Sequence, residues 1–187
     1  GVAGCIRRGT LTTAGAMLLP ELITEFHRRD PQVTFQLWEG EGTRILELLD
    51  NRVIEIGITR TQVDARVYES IVLPNEPLVL IMNKAHDIGS DAQKVRLAEL
   101  KDQPLIIPLR WQSMFTANCR KLGFEPNILC VSDSIVQDLL LAKMGMGMAI
   151  LPISSKTLLT DGDLTYKKLV EPEITTHTVV AWLKNRT

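Results

Sequence analysis

The chain has 187 residues and a mass of 20.9 kDa, which suits one globular unit or two small lobes of about 90 residues each. Twenty-one Lys and Arg stand against 22 Asp and Glu, a net charge of −1, so no strong field is available to hold a nucleic-acid backbone and direct nucleic-acid binding by this segment is not expected. No apolar run reaches the roughly 18 to 20 residues of a membrane span; the longest, over 144–153, is broken by Gly145, Gly147 and Pro152.

Short β-prone runs alternate with helically spaced segments along most of the chain. That is the pattern of βαβ units, with parallel sheets covered by helices on both faces. A first strand is predicted over 5–9. A helix over 14–29 follows, with Met17, Leu18, Leu22, Ile23 and Phe26 at helical spacing. Pro20 is tolerable near its start, and Asp30-Pro31 ends it. Alternating Val33, Phe35 and Leu37 mark a strand over 33–39. Thr43 is the expected N-cap of a second helix whose apolar stripe is Ile45, Leu46, Leu48 and Leu49. Strands are predicted over 53–58 and 68–73, with Thr59-Arg60-Thr61 as the polar exit of the former.

The apolar run 77–82 reads as a buried strand, with a crossover into a second lobe near Pro77. Next come a short helix over 97–102, a strand over 104–108, and a helix over 112–122 stopped by Gly123. A strand over 127–131 leads to a helix over 134–144, capped from Ser132-Asp133-Ser134. Strands over 147–151, 164–169 and 177–183 and a helical segment over 154–159 complete the chain. Each half repeats strand, helix, strand, helix, strand, and the last strand has to return to the first half. The expectation is an α/β clamp with two hinge crossings: lobe I from 1–77 plus about 177–187, and lobe II from 78–176.

Ligands of α/β lobes sit beyond the carboxyl ends of the strands. In the first lobe those positions are Thr10 to Thr13, Gly40 to Thr43, and Thr59-Arg60-Thr61. Hydroxyls, helix N-terminal N–H groups and one guanidinium would make an anion or carboxylate site there. In the second lobe the corresponding positions are Leu109 to Ser113, Ser132 to Ser134, and Pro152 to Ser154. A threonine before a helix is commonly just a cap, and a surface arginine is commonly solvated. The coincidence of three such segments on one lobe edge favours the binding role.

No catalytic set is found. His27, His86 and His177 have no metal spacing, there is no GxSxG, and Gly145-Met146-Gly147-Met148 precedes a strand rather than a helix. Cys5, Cys119 and Cys130 form no CxxC pair and read as small thiols in a reducing compartment, with a redox pairing of Cys119 and Cys130 left open. No metal or cofactor is expected. The opening residues lack a basic stretch followed by an apolar one, so no secretory signal is expected. The absence of an initiator Met suggests a piece of a longer chain.

In order and spacing, several segments resemble the effector-binding domain of LysR-type transcriptional regulators. They are Gly9 to Thr13 followed by Leu18-Leu19-Pro20, Leu22 to Phe26, Asp30-Pro31-Gln32-Val33, Glu39 to Thr43, Leu46 to Leu49, Ile54 to Ile58, Glu76 to Leu80 and Leu97 to Leu100. The most specific piece is Met144 to Pro152, which resembles the family's Gly-x-Gly-hydrophobic-Ala-hydrophobic-hydrophobic-Pro segment. Arg8 stands where the family has an apolar residue.

The resemblance implies the two-lobed fold of type II periplasmic binding proteins, with a small effector, commonly a carboxylate or other metabolite, held between the lobes. By position, Thr12, Thr13, Thr43 and Arg60 are the first-lobe contacts it implies, and Ser113, Ser132 and Ser134 the second-lobe ones. Arg60 is the foremost, because a bidentate guanidinium selects a carboxylate. The resemblance further implies a cytoplasmic homodimer or tetramer that reaches DNA only through an N-terminal winged helix-turn-helix absent from this sequence. A solute-binding protein of a transporter is the alternative on the same fold, and an enzyme the third class.

Overall fold

The computed structural model describes residues 4–10, 19–40, 42–160 and 162–184, with backbone alone over 4–10 and at Glu39. In chain order the elements are β1 (Gly4–Thr10), α1 (Leu19–Arg29), β2 (Val33–Glu39), α2 (Gly42–Asp50), β3 (Ile56–Thr59) and β4 (Tyr68–Val72). They continue with β5 (Glu76–Asn83), β6 (Lys94–Arg96), β7 (Pro104–Pro108), α3 (Leu109–Lys121), β8 (Asn127–Ser132) and α4 (Ile135–Lys143). Last come β9 (Met148–Pro152), β10 (Leu164–Val170), β11 (Thr175–Thr176) and β12 (Val179–Leu183). Three 3-10 turns, Lys84–His86, Leu97–Leu100 and Ile153–Leu158, lie between them. The chain divides into two compact units, 1–75 with 177–187 and 76–176.

The first unit carries a five-stranded sheet in the order β2-β1-β3-β12-β4. β1 pairs in parallel with β2 and β3, which makes it an interior strand. β12 runs antiparallel to both β3 and β4. α2 packs Ile45, Leu48 and Leu49 against Ile54, Tyr68, Val179 and Ala181. The Tyr68 hydroxyl donates to the Asp50 carboxylate and ties β4 to the end of α2; burial, with Asp50 beside it, pushes the phenol up to about 12. The beginning of the helix predicted over 14–29 lies outside the described residues. Over the described part, Leu19 is buried, whereas Leu22 and Phe26 are more than a third exposed; Phe26 meets Phe35 edge-on at 6.1 Å.

The second unit is built on the sheet β6-β10-β5-β9-β7-β8, with β11 paired to β5. Its core follows from strand alternation. All five residues from Leu78 to Met82 are fully buried. Leu78, Leu80 and Met82 face one side with Leu105, Ile107 and Ile150, under Trp111, Phe115 and Cys119 of α3. Val79 and Ile81 face the other with Ile106, Ala149 and Leu151, under Ile135, Leu139 and Ala142 of α4. Each such apolar side chain contributes about 1.5–3 kcal/mol on burial, so this two-sided core is the main anchor of the unit.

Several expectations change. Both sheets are mixed rather than parallel, because β5 runs antiparallel to β9 and β10, as β12 does to β3. α3 starts at Leu109, not at 112, since Pro108 is already extended backbone from which a helix can begin at once. α2 starts at Gly42, which places Thr43 inside its first turn instead of at the N-cap. β3 is shorter than predicted, starting at Ile56, because Arg52 at φ 58 and the turn around it hold 51–55 off the sheet. The 97–102 and 154–159 segments are 3-10 rather than α.

Gly123 (φ +87) and Gly145 (φ +77) end α3 and α4 identically. Gly123 N–H bonds Arg120 O and Phe124 N–H bonds Cys119 O; Gly145 N–H bonds Ala142 O and Met146 N–H bonds Leu141 O. This paired closure needs a left-handed residue. Gly145-Met146-Gly147 is thus a helix stop feeding β9.

Candidate functional site

In the first unit the parallel register aligns Thr10 with Glu39 and with Ile58, so β1, β2 and β3 end on one sheet edge. Chain leaving β2 enters α2 there. Gly42 is buried, and a Cβ on it would lie 2.0 Å from Thr61 Oγ1 and 3.1 Å from Thr59 Oγ1. The first turn of α2 is therefore seated directly on the Thr59–Thr61 exit of β3. Only a glycine permits that approach. Thr59 is fully buried, and its hydroxyl accepts the Thr61 N–H at 3.1 Å, which turns the chain off the sheet. Arg60 between them is only 8% exposed. No acidic residue occupies the first turn of α2, so its N-terminal partial positive charge is not offset from within the helix. This edge brings together the N-terminus of α2, the Thr59 and Thr61 hydroxyls and Arg60. It suits a carboxylate or another small oxyanion.

Of the residues singled out from sequence in this unit, Arg60 and Thr43 come to this edge, with Thr43 exposed in the first turn of α2. Thr12 and Thr13 lie outside the described residues.

In the second unit β7 and β8 end together, with Pro108 opposite Ser132. Ser134 caps α4, its hydroxyl accepting Gln137 N–H at 3.3 Å. Ser132 Oγ donates to the Asp138 carboxylate and accepts Ser134 N–H at 3.3 Å. Ser113 is exposed on α3, beyond its first turn. It does not join Ser132 and Ser134 in any hydrogen bond among the described residues.

Residues the sequence did not single out stand beside these. Asp138 is fully buried on α4, and burial raises its carboxyl above the ordinary range, with Asp133 adding to the rise and the Ser132 bond opposing it. The Trp111 indole N–H donates to Thr176 Oγ1 at 3.3 Å, and Ser154 Oγ donates to Glu76 Oε1 at 3.1 Å. Both ends of the chain that crosses between units, β5 and β11, are paired with each other at Glu76 and Thr176 and held by side chains from this same edge. Asp138 had a faint signal, a charge between Ile135, Leu139 and Ala142 on an otherwise apolar face. The Trp111 and Ser154 bonds had none.

A separate concavity of about 320 Å³ opens where β7 and β9 begin, lined by His86, Asp87, Gln103, Pro104 and Met148. Among the described residues no group of His, Cys, Asp and Glu could hold a metal ion, and no helix is long and apolar enough to cross a membrane.

The LysR substrate binding domain family matches the chain over residues 1–187. The chain belongs to that family. As a LysR substrate-binding domain it is 27% identical over 190 residues to the HTH-type transcriptional regulator AlsR of Bacillus subtilis (strain 168), covering 99% of this chain and 62% of AlsR. It is 26% identical over 188 residues to the uncharacterised regulator YwbI of the same organism, covering 98% and 62%. The domain thus spans about three-fifths of the length of these relatives, which are transcriptional regulators. Among solved structures, full-length CbnR with its target DNA superimposes with a TM-score of 0.84 at 20% identity, over 100% of this chain and 66% of that one. The effector-binding domain of QuiR in complex with shikimate gives 0.82 at 21%, over 100% and 90%. The fold is that of LysR effector-binding domains, the two-lobed α/β fold of periplasmic binding proteins.

Proposed function

We propose that the chain is the sensing part of a LysR-type transcriptional regulator, and that it binds a small organic acid at the carboxyl ends of its strands. The observation that carries this reading is Arg60. Arg60 is almost wholly removed from water and leaves β3 between Thr59 and Thr61, against which the start of α2 is seated, and a bidentate carboxylate contact from a guanidinium in such a place would be strong. Thr12, Thr13 and Thr43 would complete the first-lobe contacts, and Ser113, Ser132 and Ser134 the second. QuiR, a structural neighbour, was solved with shikimate, which is itself a carboxylic acid.

The parent protein would act in the cytoplasm as a homodimer or tetramer and reach DNA through a separate N-terminal winged helix-turn-helix. Effector would shift the packing of subunits, which requires different affinities for the two arrangements.

The test is a melting-temperature titration of the 187-residue chain with mono-, di- and tricarboxylates, with Arg60→Ala alongside. A ligand of the native state raises Tm with concentration, by about 2.7 kcal/mol of stability at a hundredfold excess over Kd. The expected result is a carboxylate-specific rise that Arg60→Ala abolishes. A rise that survives the substitution moves the site elsewhere, and no rise with any acid rejects the carboxylate reading.

A further inference from the structure

Asp138 is out of place by its surroundings. It is a carboxylate on the inward face of α4, fully buried among Ile135, Leu139 and Ala142. One oxygen, Oδ1, takes the Ser132 hydroxyl, whereas Oδ2 is buried with no hydrogen-bond partner among the described residues. An incompletely satisfied buried carboxylate is costly, and such a group is commonly retained for a role other than stability.

The role follows from counting protons at Ser132. Its hydroxyl has one proton and two lone pairs. Two acceptors compete for that proton, the Asp138 carboxylate and the Ser134 carbonyl at 3.3 Å. With Asp138 ionised, the charge-assisted bond wins over the long neutral one. One lone pair receives the Ser134 N–H. What remains at Ser132, partly exposed at the carboxyl end of β8, is a single lone pair. Ser132 in this state offers an incoming molecule an acceptor and no donor.

We propose that Asp138 is a positioning residue that, by holding the Ser132 proton, makes this edge of the second unit select a hydroxyl or ammonium group on the ligand and refuse a second carboxylate. This rests on the reading of the strand ends as the ligand face. It names ligands that carry a donor group, hydroxy and amino acids among organic acids, in preference to plain mono- or dicarboxylates. Geometry sets the polarity, and the state of Asp138 governs it. A protonated Asp138 would donate to Ser132 and turn the serine proton outward. Burial and the neighbouring Asp133 favour protonation, and the Ser132 bond opposes it.

The intact chain, labelled with ¹³C at aspartate carboxyls, tests this directly, with Asp138→Asn identifying the Asp138 signal. Asp138 is expected to be ionised at pH 7 with a raised midpoint, and Ser132→Ala should raise that midpoint further by removing the donated bond. A carboxyl neutral at pH 7, or a midpoint unmoved in Ser132→Ala, overturns the proposal. In a second arm, lactate is compared with propionate, and 3-hydroxybutyrate with butyrate, by calorimetry on the same chain. The hydroxylated member of each pair should bind about tenfold tighter, one hydrogen bond's worth. That preference should collapse in Ser132→Ala and in Asp138→Asn, whose amide can donate to Ser132. Arg60→Ala should weaken both members alike. Equal binding of both members by the wild-type chain overturns the selectivity. If no acid binds, the carboxylate reading fails and the carboxyl titration alone decides the role of Asp138.

Discussion

Lys167 in β10 is a charged residue with only 2% of its side chain exposed, and it shows how this protein retains a buried cation. Its ammonium donates to the Ile88 carbonyl at 2.6 Å and lies 2.9 Å from Asp87 Oδ1. The lysine thereby fixes the segment after the 84–86 turn against a strand 79 positions away in sequence. Replacing it with Met keeps the volume but leaves the Ile88 carbonyl without its donor. A loss of about 1–3 kcal/mol is expected, read as a lowered urea midpoint with unchanged slope. Amide exchange over 87–89 should accelerate selectively. A Lys167→Met chain as stable as the wild type would show that the carbonyl finds water instead. Cys119 is the opposite kind of residue: it is buried, its thiol is pushed up to about 11 by burial, and it has no thiolate character at neutral pH. That environment gives no support to a redox pairing with Cys130.

Among the elements, α3 and α4 end on the same glycine device in different surroundings, which allows its parts to be separated. A Cβ on Gly123 would meet nothing within 4 Å, whereas one on Gly145 would lie 2.8 Å from His86 Cε1. Gly123→Ala should therefore cost only the left-handed backbone penalty, about 1–2 kcal/mol. Gly145→Ala should cost that plus the displacement of His86, so its thermal midpoint should fall further. Equal falls would mean that the exposed His86 ring swings aside freely. The Gly123 stop was legible from its glycine alone, because a left-handed terminator is a local requirement, whereas Gly145 was not singled out as one. The start of α3 was not legible. Leu109-Arg110-Trp111 has no capping side chain before it, and the helix begins there because Trp111 and Phe115 reach the core under β5 and β7.

For the whole molecule, the two units differ in how continuous their chain is. Residues 76–176 supply every described strand and helix of the second sheet and both of its cores. The first unit depends on β12, which arrives from the far end of the chain and inserts between β3 and β4. A chain ending at Thr176 should lose that bridge, leaving β3 and β4 without a shared neighbour and exposing Ile45, Leu49 and Tyr68, which pack with Val179 and Ala181. Hydrogen exchange should then show protection retained over 76–176 and lost over the first unit. Uniform loss of protection would mean that the second unit needs the first to fold.

What the sequence determined by itself was carried by short-range chemistry: the alternation of strand and helix, the Gly123 stop, the Ser134 cap, and the order of motifs that identifies the family. Arg60 was legible too, since a charged residue directly after a buried strand must lie at a strand end. Tertiary structure alone decided the directions of β5 and β12, because strand polarity depends on which distant strand is adjacent. It also decided that Lys167 and Asp138 are buried and that Trp111 and Ser154 hold the crossing strands. Those facts depend on contacts such as that between Glu76 and Ser154, 78 residues apart, where no local propensity acts. Burial and pairing are properties of the assembled core, and a residue's own type fixes only the cost of being placed there.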